Sequence, residues 1–431
     1  MSIFWIIVGT LLFLNLLWAW HADAVLSRAG RDWRLRLCAP AFAVAMGGLL
    51  VVFILGRGGD PSVRAAFPTT LVAAIYLWHL LVLPVWLVLA PPVEVVRATR
   101  KLRQFVQRRS GNALDRPAAV QDTAKAAVEE DGATAEGFRL SRRDWLVAAA
   151  AAPPSVLAGV TGVALHQMES FRLRRLEIPL AGLPRALDGL TVAHLSDLHV
   201  GVFTKGKILR EFAEATNALE ADLILLTGDL INDDLADLPD AIAMVRSLKA
   251  RYGVYLCEGN HDLIPGPHGF GKAVREAGLN LLVNETRLLE VRGAAVEILG
   301  LRWGAGADRS RRADDYGDTP IERSMEELLR LRERSAFPLL MAHHPHAFDA
   351  AAAAGIPLTL SGHTHGGQIM LNEALGFGPA LFRYWSGLYR SDGTDEPSSP
   401  ALVVSNGTGN WFPLRTAAPA EILHLTLRAS A

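Results

Sequence analysis

The chain has 431 residues and a formal net charge of −1, with 43 Lys and Arg against 44 Asp and Glu. That balance excludes a domain-wide basic field, and with it a general nucleic-acid binder. The length allows more than one domain, and the two distant cysteines, Cys38 and Cys257, read as small buried hydrophobes rather than a disulfide.

Half of the residues are hydrophobic, and they concentrate at the N-terminus. Residues 3–20 are apolar except for Thr10 and Asn15, and residues 37–55 and 67–90 repeat the pattern, the last with His79 and Pro84 inside. Each approaches or exceeds the roughly 20 residues that a bilayer-spanning helix needs, and none shows a polar face. Residues 1–109 are therefore expected to form a transmembrane region of three helices. With His79 as the ionisable group inside the spans, they offer little for a transport path.

Residues 110–140 are rich in Ala, Asp, Glu and Gly and read as a flexible linker. A fourth hydrophobic segment, 141–165, contains Pro153 and Pro154 and follows SRRDW, which resembles a twin-arginine export signal. It is expected to be a further membrane helix. Arginines crowd the first loop (Arg28, Arg31, Arg34, Arg36), and basic residues crowd the stretch after the third span (Arg97 to Arg109) and precede the fourth (Arg142, Arg143). The positive-inside rule then predicts a multi-pass protein of the cytoplasmic (inner) membrane, with the C-terminal domain on the extracytoplasmic side. Arg172, Arg174 and Arg175 weigh against that sidedness, and a fourth segment that does not cross would leave the domain cytoplasmic.

From about residue 176 the texture changes to short apolar runs alternating with amphipathic stretches. TVAHL, LILL, GVYLC, LNLLV, VEILGLRW, PLLMAH, LTL, ALVV and EILHLTL read as strands, with helical spacing over 205–219, 240–250, 271–277 and 321–333. Strand–helix alternation followed by a strand-rich end predicts an α/β fold, a sandwich of two sheets flanked by helices, over 166–431.

Five polar clusters follow the apolar runs: SDLHVG, TGDL, EGNHD, AHHP and SGHTHGG. Asp197 and His199 stand two apart, as do His363 and His365, and extended geometry would point each pair to one side. Asp229 can reach the same ion as Asp197 and a neighbour, since a carboxylate bridges readily. Asn260 offers a neutral oxygen, His261 stands beside it, and His343 opens AHHP. Each signal alone is weak; the ordered set is not.

This set resembles the calcineurin-like metallophosphoesterase superfamily, whose pattern is Asp-x-His, Gly-Asp, Gly-Asn-His, a lone His and Gly-His-x-His. The resemblance covers about residues 190–427. It implies one metal on Asp197, His199 and His365, a bridging Asp229, a second metal on Asn260, His343 and His363, and a catalytic, non-ligating His261. It also implies two divalent metal ions, with Mn, Fe or Zn suiting the mixed donors. The reaction implied is hydrolysis of a phosphodiester or pyrophosphate bond by a metal-bridging hydroxide, on a phosphoester small molecule or lipid. The stretch SNGTGNWFPLRTAAPAEILHLTL further resembles a bacterial membrane-anchored phosphodiesterase branch, some of whose members cleave a nucleotide-linked lipid. A phosphomonoesterase acting on phosphoprotein and a non-catalytic membrane sensor or scaffold are the competing readings.

Among the remaining histidines, His194 reads as core or as a neighbour of the ligands, and His343 is preferred to His344 as the ligand. His268 reads as part of a rim. LRWGAGAD stands where relatives often carry an acidic pair, which bears on specificity. The aromatic-rich stretch 376–389 reads as a loop packed on the sheet or as a lipid-facing flap.

Overall fold

The computed structural model describes residues 2–57, 67–89, 142–303, 320–372, 374–393 and 396–430. The expected linker at 110–140 and most of LRWGAGAD lie outside them. By internal contacts the chain divides into two units, 1–66 with 74–159 and 67–73 with 160–431.

The N-terminal helices are α1 (Ser2–Arg28), α2 (Trp33–Arg57) and α3 (Thr69–Leu77), the last continuing through a π turn at Trp78–Val82. Pro84 has no N–H to give and its ring would crowd the carbonyl four residues back. The helix answers by widening just before it, where the Leu83 N–H bonds Trp78 five residues back. Trp5–Arg28, Trp33–Gly56 and Thr69–Leu89 are long and apolar enough to cross a membrane. Cys38 lies exposed on α2, contrary to the buried position expected, whereas Cys257 is buried; both are free. An apolar helix facing lipid needs no protein cover, so a hydrophobic setting there does not mean burial.

Asn15 is the buried polar residue that ties α1, α2 and the third helix together. Its Nδ2 donates to the Ala43 carbonyl at 2.7 Å, and its Oδ1 accepts from Trp78 Nε1 at 3.0 Å. Trp18, Phe42 and Trp78 pack edge-to-face around it, and Arg36 pairs with Asp23 through two hydrogen bonds. The fourth segment is a single helix, α4 (Arg142–Met168), with both prolines inside. It is not one of the three long apolar helices found among the described residues.

The C-terminal unit holds two six-stranded mixed sheets. The first has the order β1 (Arg172–Ala181), β14 (Glu421–Ser430), β2 (Thr191–Leu195), β3 (Leu223–Thr227), β4 (Val254–Cys257), β5 (Asn280–Leu281). The second has the order β12 (Gly387–Arg390), β13 (Ala401–Val404), β9 (Leu358–Ser361), β8 (Phe337–Met341), β7 (Ala294–Gly300), β6 (Glu285–Val291). A small hairpin, β10 (Met370–Asn372) with β11 (Leu375–Gly376), stands apart. Strands β2 to β5 run parallel, as do β7, β8, β9 and β13.

Val192, Leu223 and Leu225 of the first sheet share one core with Ile298, Leu339, Leu358 and Val403 of the second. The outer face of the first sheet packs on α5 (Lys207–Asn217), α6 (Leu238–Ser247) and α7 (Pro267–Glu276) through Ile208, Phe212, Val245 and Val274. The outer face of the second takes Met325 and Leu328 of α8 (Pro320–Arg330) and Ala347 and Ala351 of α9 (Ala347–Ala353). The result is the expected two-sheet α/β sandwich, preceded by N-terminal apolar helices. Because the central strands are parallel, their carboxyl ends gather on one edge.

Replacing Asn15 with Val removes both of its hydrogen bonds while keeping volume. A loss of about 1 kcal/mol is expected in the resistance of the helical unit to denaturing detergent, followed by circular dichroism.

Candidate metal centre

Four strands end in the same way. Asp197 stands two residues past β2, Asp229 two past β3, His343 two past β8 and His363 two past β9. His199 and His365 follow their partners two residues further on. The extended geometry expected for these pairs is not what brings them together. Asp197, His199, Asp229, His363 and His365 all have positive φ, between 45° and 71°. Such backbone is costly for residues with a side chain and persists where surroundings over-determine it. Here parallel pairing continues past the strand ends, with the Asp197 and His199 N–H groups donating to the Gly228 and Asp229 carbonyls at 3.0 and 2.9 Å.

The turns bring the donors into three overlapping groups, in each of which the ligand atoms lie within 4.8 Å of one another. The first is Asp197, His199 and His365. His199 Nε2 and His365 Nε2 face each other at 3.0 Å, with Asp197 Oδ1 3.7 and 3.2 Å away. The second is Asp229, His343 and His363, with Asp229 Oδ2 3.1 Å from His343 Nε2. Asn260 Oδ1 joins this group, 3.2 Å from His343 Nε2 and 2.9 Å from His363 Nδ1. The third, His199, Asp229 and His261, links the two, and Asp229 Oδ2 lies 3.6 Å from His199 Nε2. All eight residues named from the sequence thus meet in one place.

Asp197, His199, Asp229, His343 and His365 are buried, whereas Asn260, His261 and His363 are half-buried and form the accessible side. Burial alone would neutralise Asp197, but the imidazoles of His365, His343 and His199 hold it well below the usual carboxylate range. Asp229 is likewise held down against burial, chiefly by His343. Burial pushes His365 down to about 3 and His363 to about 4, so both rings are neutral near pH 7. For His343 the Asp229 and Asp197 carboxylates outweigh burial and hold the imidazole up at about 9. Converging carboxylates and imidazole nitrogens, closed off from water, are a donor set that divalent cations satisfy. The residues therefore fit a pair of such ions.

Several residues that sequence reasoning passed over complete the site. Arg415 is buried and donates from Nη2 to His365 Nδ1 at 2.9 Å and to the Gly409 carbonyl at 2.7 Å, while its Nε bonds Asn410 Oδ1. With Nδ1 accepting, the neutral His365 ring carries its proton on Nε2, facing Asp197, and a cation held there would replace that proton. Asp262, quoted within EGNHD but given no role, accepts the Gly259 and Ile231 N–H groups and orders the loop that carries Asn260 and His261. Burial and the nearby Asp229 charge push its carboxyl well above its usual value. Two tryptophans wall the cluster. Trp303 has its ring 5.1 to 5.5 Å from those of His343, His344 and His363, and Trp411 lies 6.5 Å from His261 and 6.2 Å from His365. Both were visible in the sequence as members of LRW and GNW, but nothing local marks a tryptophan as facing a site.

The other histidines are accounted for. His194 is fully buried and its Nε2 lies 2.8 Å from Thr227 Oγ1. His344 stacks near His346 and Trp303 rather than entering a donor group, which favours His343 as read from the sequence. The His268 side chain lies outside the described residues.

Gly362 and Gly259 keep the carboxylates in reach. A Cβ at Gly362 would meet Asp197 Oδ2 and Ser196 Oγ, and one at Gly259 would meet Asp229 Oδ1 and its backbone nitrogen. Gly362→Ala is therefore expected to lower metal affinity by about 10–100-fold with the far-ultraviolet circular dichroism unchanged; metal content after dialysis measures it.

Residues 190–367 match the family model described as calcineurin-like phosphoesterase. An uncharacterized metallophosphoesterase of Helicobacter pylori is 28% identical over 241 residues, 55% of this chain and 60% of its own length. A transmembrane protein with metallophosphoesterase domain from Danio rerio is 30% identical over 261 residues, 59% of this chain and 56% of that one. The uncharacterized metallophosphoesterase YkuE of Bacillus subtilis is 29% identical over 306 residues, 68% of this chain and 99% of that protein. The chain spans less than two thirds of the length of the first two of these relatives. The same strand ends that gather the donors fall in the matched stretch, and residues 190–367 carry a calcineurin-like metallophosphoesterase domain with a dinuclear-type His/Asp metal site.

Proposed function

We propose that the protein is a membrane-anchored hydrolase that cleaves a phosphodiester or pyrophosphate bond, on a lipid or nucleotide-linked lipid, with two divalent cations. The observation that carries this reading is the pairing of two donor groups through Asp229, with the accessible His261 beside them. One ion would sit on Asp197, His199 and His365, the other on Asn260, His343 and His363, and Asp229 would serve both. A bound pair of such ions polarises phosphoryl oxygens and activates water.

The chain's own groups do the rest. The His261 N–H holds Asp229 Oδ1 at 2.8 Å, and its ring Nδ1 lies 2.6 Å from the Asn232 carbonyl. With the carbonyl accepting, Nδ1 carries the ring proton and donates it in this hydrogen bond, which leaves Nε2 unprotonated and free for the site. Burial, followed by the neighbouring His199, keeps His261 below its usual value, so the free site holds it neutral. A phosphate anion beside Nε2 favours its protonated form, which can then donate to the leaving oxygen. Trp303 and Trp411 give the flanks of the donor cluster aromatic walls.

The three apolar helices support a multi-pass membrane protein. We place the catalytic domain on the extracytoplasmic side from the basic loops and from α4 serving as a fourth span, and read the metals as Mn, Fe or Zn from the mixed donors.

Two variants separate the roles. His261→Ala is expected to lower kcat on a chromogenic phosphodiester by about 10²–10⁴-fold while both metals remain by elemental analysis. Asp229→Ala is expected to lose metal as well as activity. Metal loss in the His261 variant would make that residue a ligand instead.

Metal binding should depend on pH in a definite sense. The second ion must displace the proton that His343 carries below about 9. Its apparent affinity is expected to rise by about tenfold per pH unit up to that range and level off above it. Calorimetric titration of the metal-stripped protein in buffers of different ionisation enthalpy measures the proton released.

A further inference from the structure

Outside residues 371–388, the described residues of the C-terminal unit expose large apolar side chains only at scattered positions of the chain, such as Leu173, Ile264, Leu288 and Leu331. One segment departs from this. Between residues 371 and 381, Leu371, Leu375, Phe377 and Leu381 are 81, 57, 54 and 68% exposed. They lie on the β10–β11 hairpin and the short helix α10 (Phe377–Leu381) that follows it. Glu373 is the sole charged residue in that run, LNEALGFGPAL. A cluster of this kind on a soluble surface marks a contact with another apolar phase.

The base of the hairpin is built differently. The Phe377 N–H bonds the Ile369 carbonyl, the Gly378 N–H contacts Met370 Sδ, and Gly378 packs closely on Trp385. There it walls a polar cavity of about 270 Å³ that Arg172, Arg174, Ser386 and Asn406 also line. Arg172 is paired with buried Glu421 at 2.8 Å, but Arg174 comes no nearer to that carboxylate than 3.9 Å. One carboxylate against two guanidiniums leaves a net positive charge, which suits a phosphate.

Two observations bear on what covers this face. Arg172 is four residues beyond the end of α4 at Met168, so the chain can carry it at most about 14 Å from that helix end. The far end of the segment reaches the metal centre: the Phe382 ring is 6.0 Å from His363, and Thr364 Oγ1 donates to the Trp385 carbonyl at 2.7 Å. Exposed apolar side chains beside an arginine cavity lined by Trp385 match the acyl and headgroup layers of a membrane surface.

We propose that residues 370–385 form a bilayer-docking element. The exposed Leu371, Leu375, Phe377 and Leu381 enter the acyl region of a phospholipid membrane, and the Arg172–Arg174 cavity receives a headgroup phosphate. The element holds the accessible side of the metal centre against the lipid surface. This inference rests on the membrane anchoring proposed above and not on the bond that is cleaved.

The test uses the full chain in phosphatidylglycerol–phosphatidylcholine proteoliposomes, with Cys38 and Cys257 replaced by Ser and Ala. An environment-sensitive fluorophore is attached to Leu371→Cys or Leu381→Cys, with Leu331→Cys as the control. Brominated acyl chains are expected to quench the probe at 371 and 381 several-fold more than at 331. Leu375→Asp with Phe377→Asp is expected to abolish that difference, and Arg174→Gln to reduce it, while hydrolysis of a water-soluble diester stays at the level of the parent. Quenching is read without turnover, so an inactive protein that still shows it refutes the hydrolase reading and upholds docking. Equal quenching at all three positions overturns the proposal. So does a probe at 371 shielded only by self-association in detergent, which would assign the patch to a second copy.

Discussion

Everything in the C-terminal domain depends on holding two carboxylates and their histidines together in a place that excludes water. Like charges and desolvated acids resist that arrangement, because burial alone raises a carboxyl's pKa and neutralises it. Asp197 and Asp229 stay ionised because imidazoles face them, and because backbone N–H groups of His363 and His261 donate to them at 2.8 to 3.1 Å. The cost is carried by the turns: five of the donor residues sit in left-handed backbone, at roughly 1–3 kcal/mol each. A loop could not keep that conformation by itself. Two mixed sheets with parallel central strands, packed through a common core, can.

The same demand explains the residues just behind the donors. Asp262 does not face the cluster as a ligand; it takes up two backbone donors and shapes the loop. Arg415 spends its guanidinium on His365, Gly409, Asn410 and the carbonyls of Asn406 and Ala418. A buried cation is tolerable where Asp197 and Glu421 lie close, although burial still brings it down to about 10. It thereby ties the last loop of the domain to the GHTHGG turn. Glu421 joins this loop to β1 through Arg172 and accepts the Asn406 N–H, so the first and last strands brace the site they do not enter.

The N-terminal unit obeys another solvent. Its surface carries exposed apolar residues such as Trp5, Ile6, Phe13 and Leu16, which would be a liability in water and are ordinary against lipid. Inside it, both ends of the buried Asn15 amide are matched, to the Ala43 carbonyl and to Trp78 Nε1. The described residues of the C-terminal unit instead bury most of their apolar side chains in shared cores, with one hairpin that exposes a run of them.

The amino-acid order alone determined the kinds of donor, their sequence of appearance and the apolar runs that precede them. Those are local properties, and period-two or period-3.6 patterning is written in neighbouring residues. The sandwich and the eight-residue cluster were legible for that reason, as were three long apolar helices. Strand β1 was not, since RLRRLEIPLA alternates basic and apolar residues and its arginines read as a topology signal until β14, some 250 positions away, pairs with it. Only the tertiary structure decided that Asp197 and His199 converge through left-handed turns rather than a pleat, that Trp303 and Trp411 flank the same cluster, and that Arg415 reaches His365. Each of these depends on contacts between segments far apart in the chain, and the energy that selects them comes from packing two sheets together rather than from any residue's own preference.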